Sequence, residues 1–288
     1  MSAESPTPAA GCQTCPVYRA ANLKKLGVSM EDWDYVVALA GNPNVGKSTV
    51  FNGLTGLRQH TGNWPGKTVS RAEGGFEYGG KKYKIVDLPG TYSLLSMSAD
   101  EEVARDFILF GEPDVTVVVA DATRLERNLN LALQVLEITD RVVICLNLVD
   151  EARRHHLVVD DRRLARDLGV PVVPASARSG EGMPELLKAI SEVATRQVVL
   201  RPHRIENASA ALKDAVASLE ARVLAAFPRL PNARWVALRL LDGDPRIEEA
   251  VRRGELGDLG GPADPGGRSR SRAPSGDPAA EEGSVETP

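Results

Sequence analysis

Cysteine is scarce in this sequence: Cys12, Cys15 and Cys145 are the whole complement. Three thiols cannot build a disulfide framework, and such low use fits a reducing compartment. Cys12-Gln13-Thr14-Cys15 has the spacing of a metal or redox pair, yet zinc takes four ligands and the sequence holds no second pair, so two loop thiols are expected. Cys145 stands inside an apolar run and is expected to be a small core residue. Long hydrophobic runs are also missing. No stretch of about 18 apolar residues occurs, so no membrane span is expected. The opening Met1-Ser2-Ala3-Glu4 lacks the basic and apolar regions of a signal peptide, which points to a cytoplasmic chain. There is no excess of positive charge either. The net charge of -4 gives no reason to expect a nucleic-acid partner.

What is present reads as an α/β protein. The 288 residues suffice for one large domain or two modest ones. Residues 1–34 read as a leader with a short helix over Tyr18 to Leu26, stopped by Gly27. From Tyr35 onward, apolar runs alternate with helical periodicity. Strands are expected at Tyr35 to Ala40, Thr68 to Tyr78, Lys82 to Asp87, Val115 to Ala120, Arg141 to Leu146 and Val170 to Val173. Helices are expected from Lys47, and over Ala99 to Phe110, Glu126 to Asp140, Asp160 to Leu168 and Met183 to Ala194. Gln59 to Lys67 reads as a Gly- and Pro-containing loop. Such alternation implies βαβ units and a mostly parallel sheet covered by helices on both faces, over 35–197. Strand signals then stop. Ser209 to Phe227, Asn232 to Leu241 and Asp244 to Arg253 read as three helices of a small all-helical domain, 198–253. Residues 254–288 are too poor in apolar side chains to offset their chain entropy and are expected to be disordered.

Gly41-Asn42-Pro43-Asn44-Val45-Gly46-Lys47-Ser48 fits the phosphate-binding pattern G-x-x-x-x-G-K-[ST]. It follows a strand and opens a helix, as the motif requires. Backbone N–H groups from Gly41 to Thr49 can then cradle phosphate oxygens, helped by the helix N-terminus. Lys47 is expected to reach the β- and γ-phosphates, and the Ser48 hydroxyl to ligate Mg²⁺. Asp87-Leu88-Pro89-Gly90 ends another strand. Asp87 is the expected Mg²⁺ carboxylate, and the Gly90 N–H is placed to meet the γ-phosphate. Asn147-Leu148-Val149-Asp150 follows a third strand. A carboxylate at Asp150 accepts two hydrogen bonds from guanine N1 and N2, a pair that adenine does not offer, so GTP and GDP are the expected nucleotides. Asn147 is expected to tie this loop to the first one. Leu148 stands where many such loops carry Lys, which removes aliphatic stacking on the base. Ser176-Ala177-Arg178 has the place of a last base-contacting loop. Thr68 is the candidate switch threonine over Mg²⁺ and γ-phosphate. Position 91 is Thr rather than the water-orienting Gln of many small GTPases, which predicts slow intrinsic hydrolysis or another way of placing the water. His60, His155 and His156 read as surface histidines.

Several longer segments resemble the FeoB family of ferrous-iron transporters. They are Gly41 to Gly56, His60-Thr61-Gly62-Asn63-Trp64-Pro65-Gly66-Lys67-Thr68-Val69, Asp87 to Leu94, and Asp121-Ala122-Thr123-Arg124-Leu125-Glu126-Arg127-Asn128-Leu129. The resemblance runs from about Val36 to about Arg253. It implies a Ras-like P-loop GTPase followed by a helical domain that regulates GDP release. It also implies K⁺ activation, with the Asn44 carbonyl oxygen and carbonyls of Gly62-Asn63-Trp64-Pro65-Gly66 around the cation. A membrane-embedded Fe²⁺ permease is the implied partner, which would place this chain at the inner face of the cell membrane, and association with a second copy is a further expectation. Two other readings stand beside a switch for iron uptake. One is a ribosome- or RNA-associated P-loop GTPase, which would normally carry a basic appendage. The other is a non-catalytic module gated by nucleotide, kept open by Thr91.

Overall fold

The computed structural model describes residues 22–256, apart from 57–58, 96–97, 205–208, 229, 231 and 255. The expectations for Cys12, Cys15 and the tail beyond Leu256 lie outside the described residues. Seven strands form one sheet. They are β1 (Tyr35–Gly41), β2 (Gln59–Asn63), β3 (Ser70–Tyr78), β4 (Lys81–Asp87), β5 (Val115–Asp121), β6 (Val142–Asn147) and β7 (Val172–Pro174). The order across the sheet is β2-β3-β4-β1-β5-β6-β7. β4, β1, β5, β6 and β7 run parallel, while β2 and β3 pair antiparallel at one edge. The helices are α1 (Lys47–Thr55), α2 (Ala99–Gly111), α3 (Leu125–Ile138), α4 (Val149–Arg154), α5 (Asp161–Leu168), α6 (Met183–Ala194), α7 (Ala210–Ala226), α8 (Ala233–Leu241) and α9 (Pro245–Arg253).

Parallel strands covered on both faces must be apolar on both faces, and these are. In β1, Val36, Ala38 and Ala40 point to one side and Val37 and Leu39 to the other; all five are buried. The first side packs on α2 and α3 through Phe107, Ile108, Leu131 and Val135. The second packs on α1 and α6 through Phe51, Leu54, Leu186 and Ile190. Cys145 lies fully buried on this second side, and burial pushes its thiol up to about 12, so it is the inert core residue expected.

The region after the sheet is helical, as its sequence implies, and its ends are set by side chains. Ser209 and Asp244 accept hydrogen bonds from first-turn backbone N–H groups of α7 and α9. Pro245 at the start of α9 fits a position with no N–H to satisfy. The helical segment is less separate than its sequence suggests. Val223, Leu230, Trp235, Val236 and Ile247 belong to the same continuous core as Val36 and Val86 of the sheet. The Asn232 amide also bonds the Ile138 carbonyl at the end of α3.

Gln59–Asn63, expected to be loop, is the edge strand β2, paired Thr61 to Ala72 and Asn63 to Ser70. It escapes pattern reading because an edge strand needs no buried face, and its residues are polar.

Candidate nucleotide site

In an open parallel sheet, ligands sit beyond the carboxyl ends of the strands, where the order reverses. Here that point is the end of β1, flanked by β4 and β5. Four of the loops singled out from sequence leave strands at this edge: 41–48 after β1, 87–91 after β4, 147–150 after β6, and 175–178 after β7.

The first loop turns through backbone that most side chains disfavour. Asn44 has φ 65° and Gly46 φ 80°. A Cβ on Gly46 would stand 2.4 Å from the Asn147 amide nitrogen, so only glycine fits there. Gly46 caps α1 with no side chain engaging the first-turn N–H groups; the Thr49 N–H bonds Gly46 O at 3.0 Å, and those of Lys47 and Ser48 face the position an anion would take. Asn42 is buried, and among the described residues neither atom of its amide has a partner. A buried, unpaired amide beside a helix N-terminus fits a loop shaped to take a polar ligand.

Lys47 and Asp87 come together: the lysine ammonium hydrogen-bonds the carboxylate, and both side chains are largely buried. Burial pushes the Asp87 carboxyl above its usual value, against the pull of Lys47. The 87–91 loop is hooked to β1 by the Leu88 N–H on Leu39 O at 2.9 Å and the Thr91 N–H on Gly41 O at 3.2 Å. Gly90 lies against Pro43, at 3.4 Å from its Cα to the position of an added Cβ. Thr91 is buried and its hydroxyl donates to Ser93 O at 2.6 Å, within its own loop, so it is not free to orient water.

Asn147 is the joint of the site. Its amide nitrogen donates to Val45 O at 2.9 Å, and its amide oxygen accepts from the Ala177 N–H at 3.0 Å. One buried side chain thus ties the loop after β6 to the loops after β1 and β7. Leu148 follows in left-handed backbone at φ 64°, an uncommon conformation for leucine, which turns the chain into α4. Asp150 lies in the first turn of α4 and Ser176 is buried beside it. Desolvation opposes the charge on Asp150, but first-turn N–H groups and Arg154 hold its carboxyl below the usual range, while the buried Ser176 hydroxyl has no hydrogen-bond partner among the described residues.

Ser48, Thr49 and Asn44 are exposed on the mouth of the first loop. Thr68 is different. It is exposed on the turn that leads into β3 and makes none of the hydrogen bonds that knit the other residues together. Gly62 and Asn63 are likewise held in β2, paired with Arg71 and Ser70. His155 and His156 are exposed after α4, as expected, and so is His60.

Sequence reasoning missed four contributors. Arg154 pairs with Asp150 at 2.8 Å, an i,i+4 spacing visible only once the short α4 is recognised. Arg153 and Glu181 join α4 to the loop after β7 at 2.6 Å. Gln134 of α3 accepts the Leu94 N–H at 2.7 Å and pins the far end of the 87–95 segment, a long-range contact with no local signal.

Comparison with known proteins agrees with this geometry. The family model described as Ferrous iron transport protein B matches residues 35–190. The Fe(2+) transporter FeoB of Methanocaldococcus jannaschii is 43% identical over 223 residues, covering 77% of this chain and 33% of that protein. That of Escherichia coli strain K12 is 40% identical over 212 residues, covering 72% and 27%. The chain therefore spans between about a quarter and a third of the length of these transporters. Among solved structures, the cytosolic domain of the T. maritima FeoB iron transporter in apo form superposes with TM-score 0.68 at 38% identity, covering 79% of this chain and 87% of that one. The cytosolic domain of L. pneumophila FeoB gives 0.69 at 34% identity, covering 78% and 88%.

Proposed function

Since the chain belongs to the ferrous iron transport protein B family, we propose that it binds and hydrolyses GTP, and that this cycle regulates Fe²⁺ uptake through a membrane-embedded permease. The observation that carries the reading is Asn147, whose single amide joins the phosphate loop to both base loops. A shared joint of this kind makes base recognition and phosphate binding one event. No helix among the described residues is long and apolar enough to cross a membrane, so the permease of this reading lies outside them. The chain would then act at the inner face of that membrane. Residues 35–197 form the nucleotide domain, and residues 198–253 set the rate of GDP release. The reading of an RNA-associated GTPase has nothing in the structure to favour it.

In this proposal, Lys47 and the uncapped N–H groups of α1 take the β- and γ-phosphates. Ser48, Asp87 and Thr68 would hold Mg²⁺, which would supply positive charge beside the phosphates. The pair Lys47–Asp87 brings these groups to one place, so the donor set fits a nucleotide with its metal. Gly90, packed on Pro43, offers its N–H to the γ-phosphate. Asp150 and Ser176 read guanine, and the Ala177 backbone closes the base pocket. Thr91, turned into its own loop, leaves water placement to other groups and keeps unaided hydrolysis slow.

Phosphoryl transfer also needs positive charge beside the bond that breaks, often from an arginine worth roughly 10³–10⁵ in rate. No arginine lies between Gln59 and Thr68. Asn44, exposed at the mouth of the phosphate loop, has a side-chain oxygen suited to a large monovalent cation. Steady-state GTP hydrolysis is therefore expected to be at least about tenfold faster in K⁺ than in Na⁺ at equal ionic strength. The difference should vanish in Asn44→Ala. Equal rates in both salts for the wild type would remove K⁺ from the proposal, and a salt effect that survives in Asn44→Ala would remove Asn44 as its ligand.

A further inference from the structure

Thr68 is exposed on the turn before β3, so in the GTPase reading what holds that turn in place matters. Three contacts do. The Trp64 N–H bonds Val69 O at 3.0 Å, and the Lys67 N–H bonds Trp64 O at 3.1 Å. The Trp64 ring is buried and meets the edge of Phe107, on α2, at 5.4 Å between centroids. Finally, the Lys67 ammonium donates to Glu102 Oε2, also on α2, at 2.8 Å.

The other oxygen of the same carboxylate is taken by a distant part of the chain. Arg246 Nε of α9 donates to Glu102 Oε1 at 2.8 Å. The Glu102 side chain is 14% exposed, against 35% for Lys67 and 34% for Arg246, so the shared group is the most buried of the three. Arg246 is itself well anchored. Its N–H bonds the Asp244 cap at 3.1 Å, and the next residue, Ile247, is buried in the core. Burial opposes the charge on Glu102, but the bonds from Lys67 and Arg246 outweigh it and hold the carboxyl below the usual range.

We propose that Glu102 is a positioning residue that links α9 to the turn carrying Thr68, through one carboxylate that both must share. Arg246 fixes the rotamer in which Glu102 meets Lys67. Docking of α9 therefore holds the turn in its present place, and closing the turn over a nucleotide requires Lys67 to leave Glu102. Coupling between two sites is reciprocal, so loss of Lys67 must also loosen the start of α9. The inference deepens the GTPase reading and rests on it for the role of Thr68, but the link itself is a property of the fold.

Amide hydrogen exchange on the nucleotide-free full chain tests the link whether or not GTP is hydrolysed. Arg246→Ala is expected to raise exchange over residues 64–70 by about three- to tenfold, the usual scale for one charge-assisted hydrogen bond at a partly exposed site. Glu102→Gln should do the same, and the double variant should go no further than Glu102→Gln alone. Arg246→Lys should fall between Ala and wild type. Lys67→Ala, at the surface and clear of the core, should raise exchange over 246–249. Unchanged exchange at 64–70 in Arg246→Ala, additive effects in the double variant, or an unmoved α9 in Lys67→Ala would each overturn the proposal. GDP release from the same variants reads the function separately. A chain that shows the exchange pattern but binds no guanine nucleotide would keep the link and lose the GTPase reading.

Discussion

Lys47→Ala is expected to weaken GTP binding by about 100-fold, measured by calorimetry with Mg²⁺. In the proposed site the lysine makes charge-assisted hydrogen bonds to phosphate oxygens, each worth about 1.5–3 kcal/mol, and 1.4 kcal/mol is a factor of ten in affinity. The variant acts on a second group as well. Lys47 hydrogen-bonds Asp87, whose carboxyl burial already pushes upward. Without the ammonium, that buried carboxylate loses the neighbour that opposes the shift, so its pKa must rise further and its hold on Mg²⁺ must weaken. The loss should therefore be larger for GTP with Mg²⁺ than for GDP without it. Undiminished GTP affinity would contradict the assignment of 41–48 as a phosphate loop.

Asp150→Asn is expected to lower GTP affinity by a similar factor and to raise affinity for xanthosine triphosphate. Guanine presents two N–H donors, at N1 and N2, to a carboxylate. An amide can match only one of them and turns its own N–H toward the other. Xanthine carries a carbonyl in place of the N2 amine, so the amide N–H finds an acceptor there. The loss of a charged acceptor for two donors is again about 3 kcal/mol. The salt bridge from Arg154 disappears in the variant too, but the arginine side chain is 64% exposed, so water screens the pair and its loss adds little. If the variant binds GTP as tightly as the wild type, Asp150 does not select the base.

Much of this architecture is legible in the sequence, because parallel strands and phosphate loops are constrained locally. Val36 to Ala40 is apolar without alternation, as a strand buried on both faces must be, and Gly41 to Ser48 follows it directly. The tie from Asn147 to the first loop is equally readable, since it stands in an N-x-x-D pattern and its amide bonds Val45 O. What stays hidden depends on contacts far along the chain. The polar edge strand β2 is specified by pairing with β3 rather than by its own pattern. The six-residue α4 is too short to show a period, so Arg154 cannot be placed on Asp150 beforehand. Glu102, Lys67 and Arg246 read separately as solvated charges; only the fold brings residues 102 and 246 together across 144 positions of sequence. The merging of the helical segment into the sheet core is hidden for the same reason. An amphipathic helix announces a buried face but not what it is buried against.

Single-turnover hydrolysis with the protein in excess over radiolabelled nucleotide, with Mg²⁺ and K⁺ present, tests the central claim most directly. The account predicts that GTP is converted fully to GDP and phosphate, slowly, while ATP under the same conditions is left intact. It also predicts that Lys47→Ala abolishes the conversion. GTP that binds and is recovered unchanged, or ATP that is cleaved as fast as GTP, would contradict it.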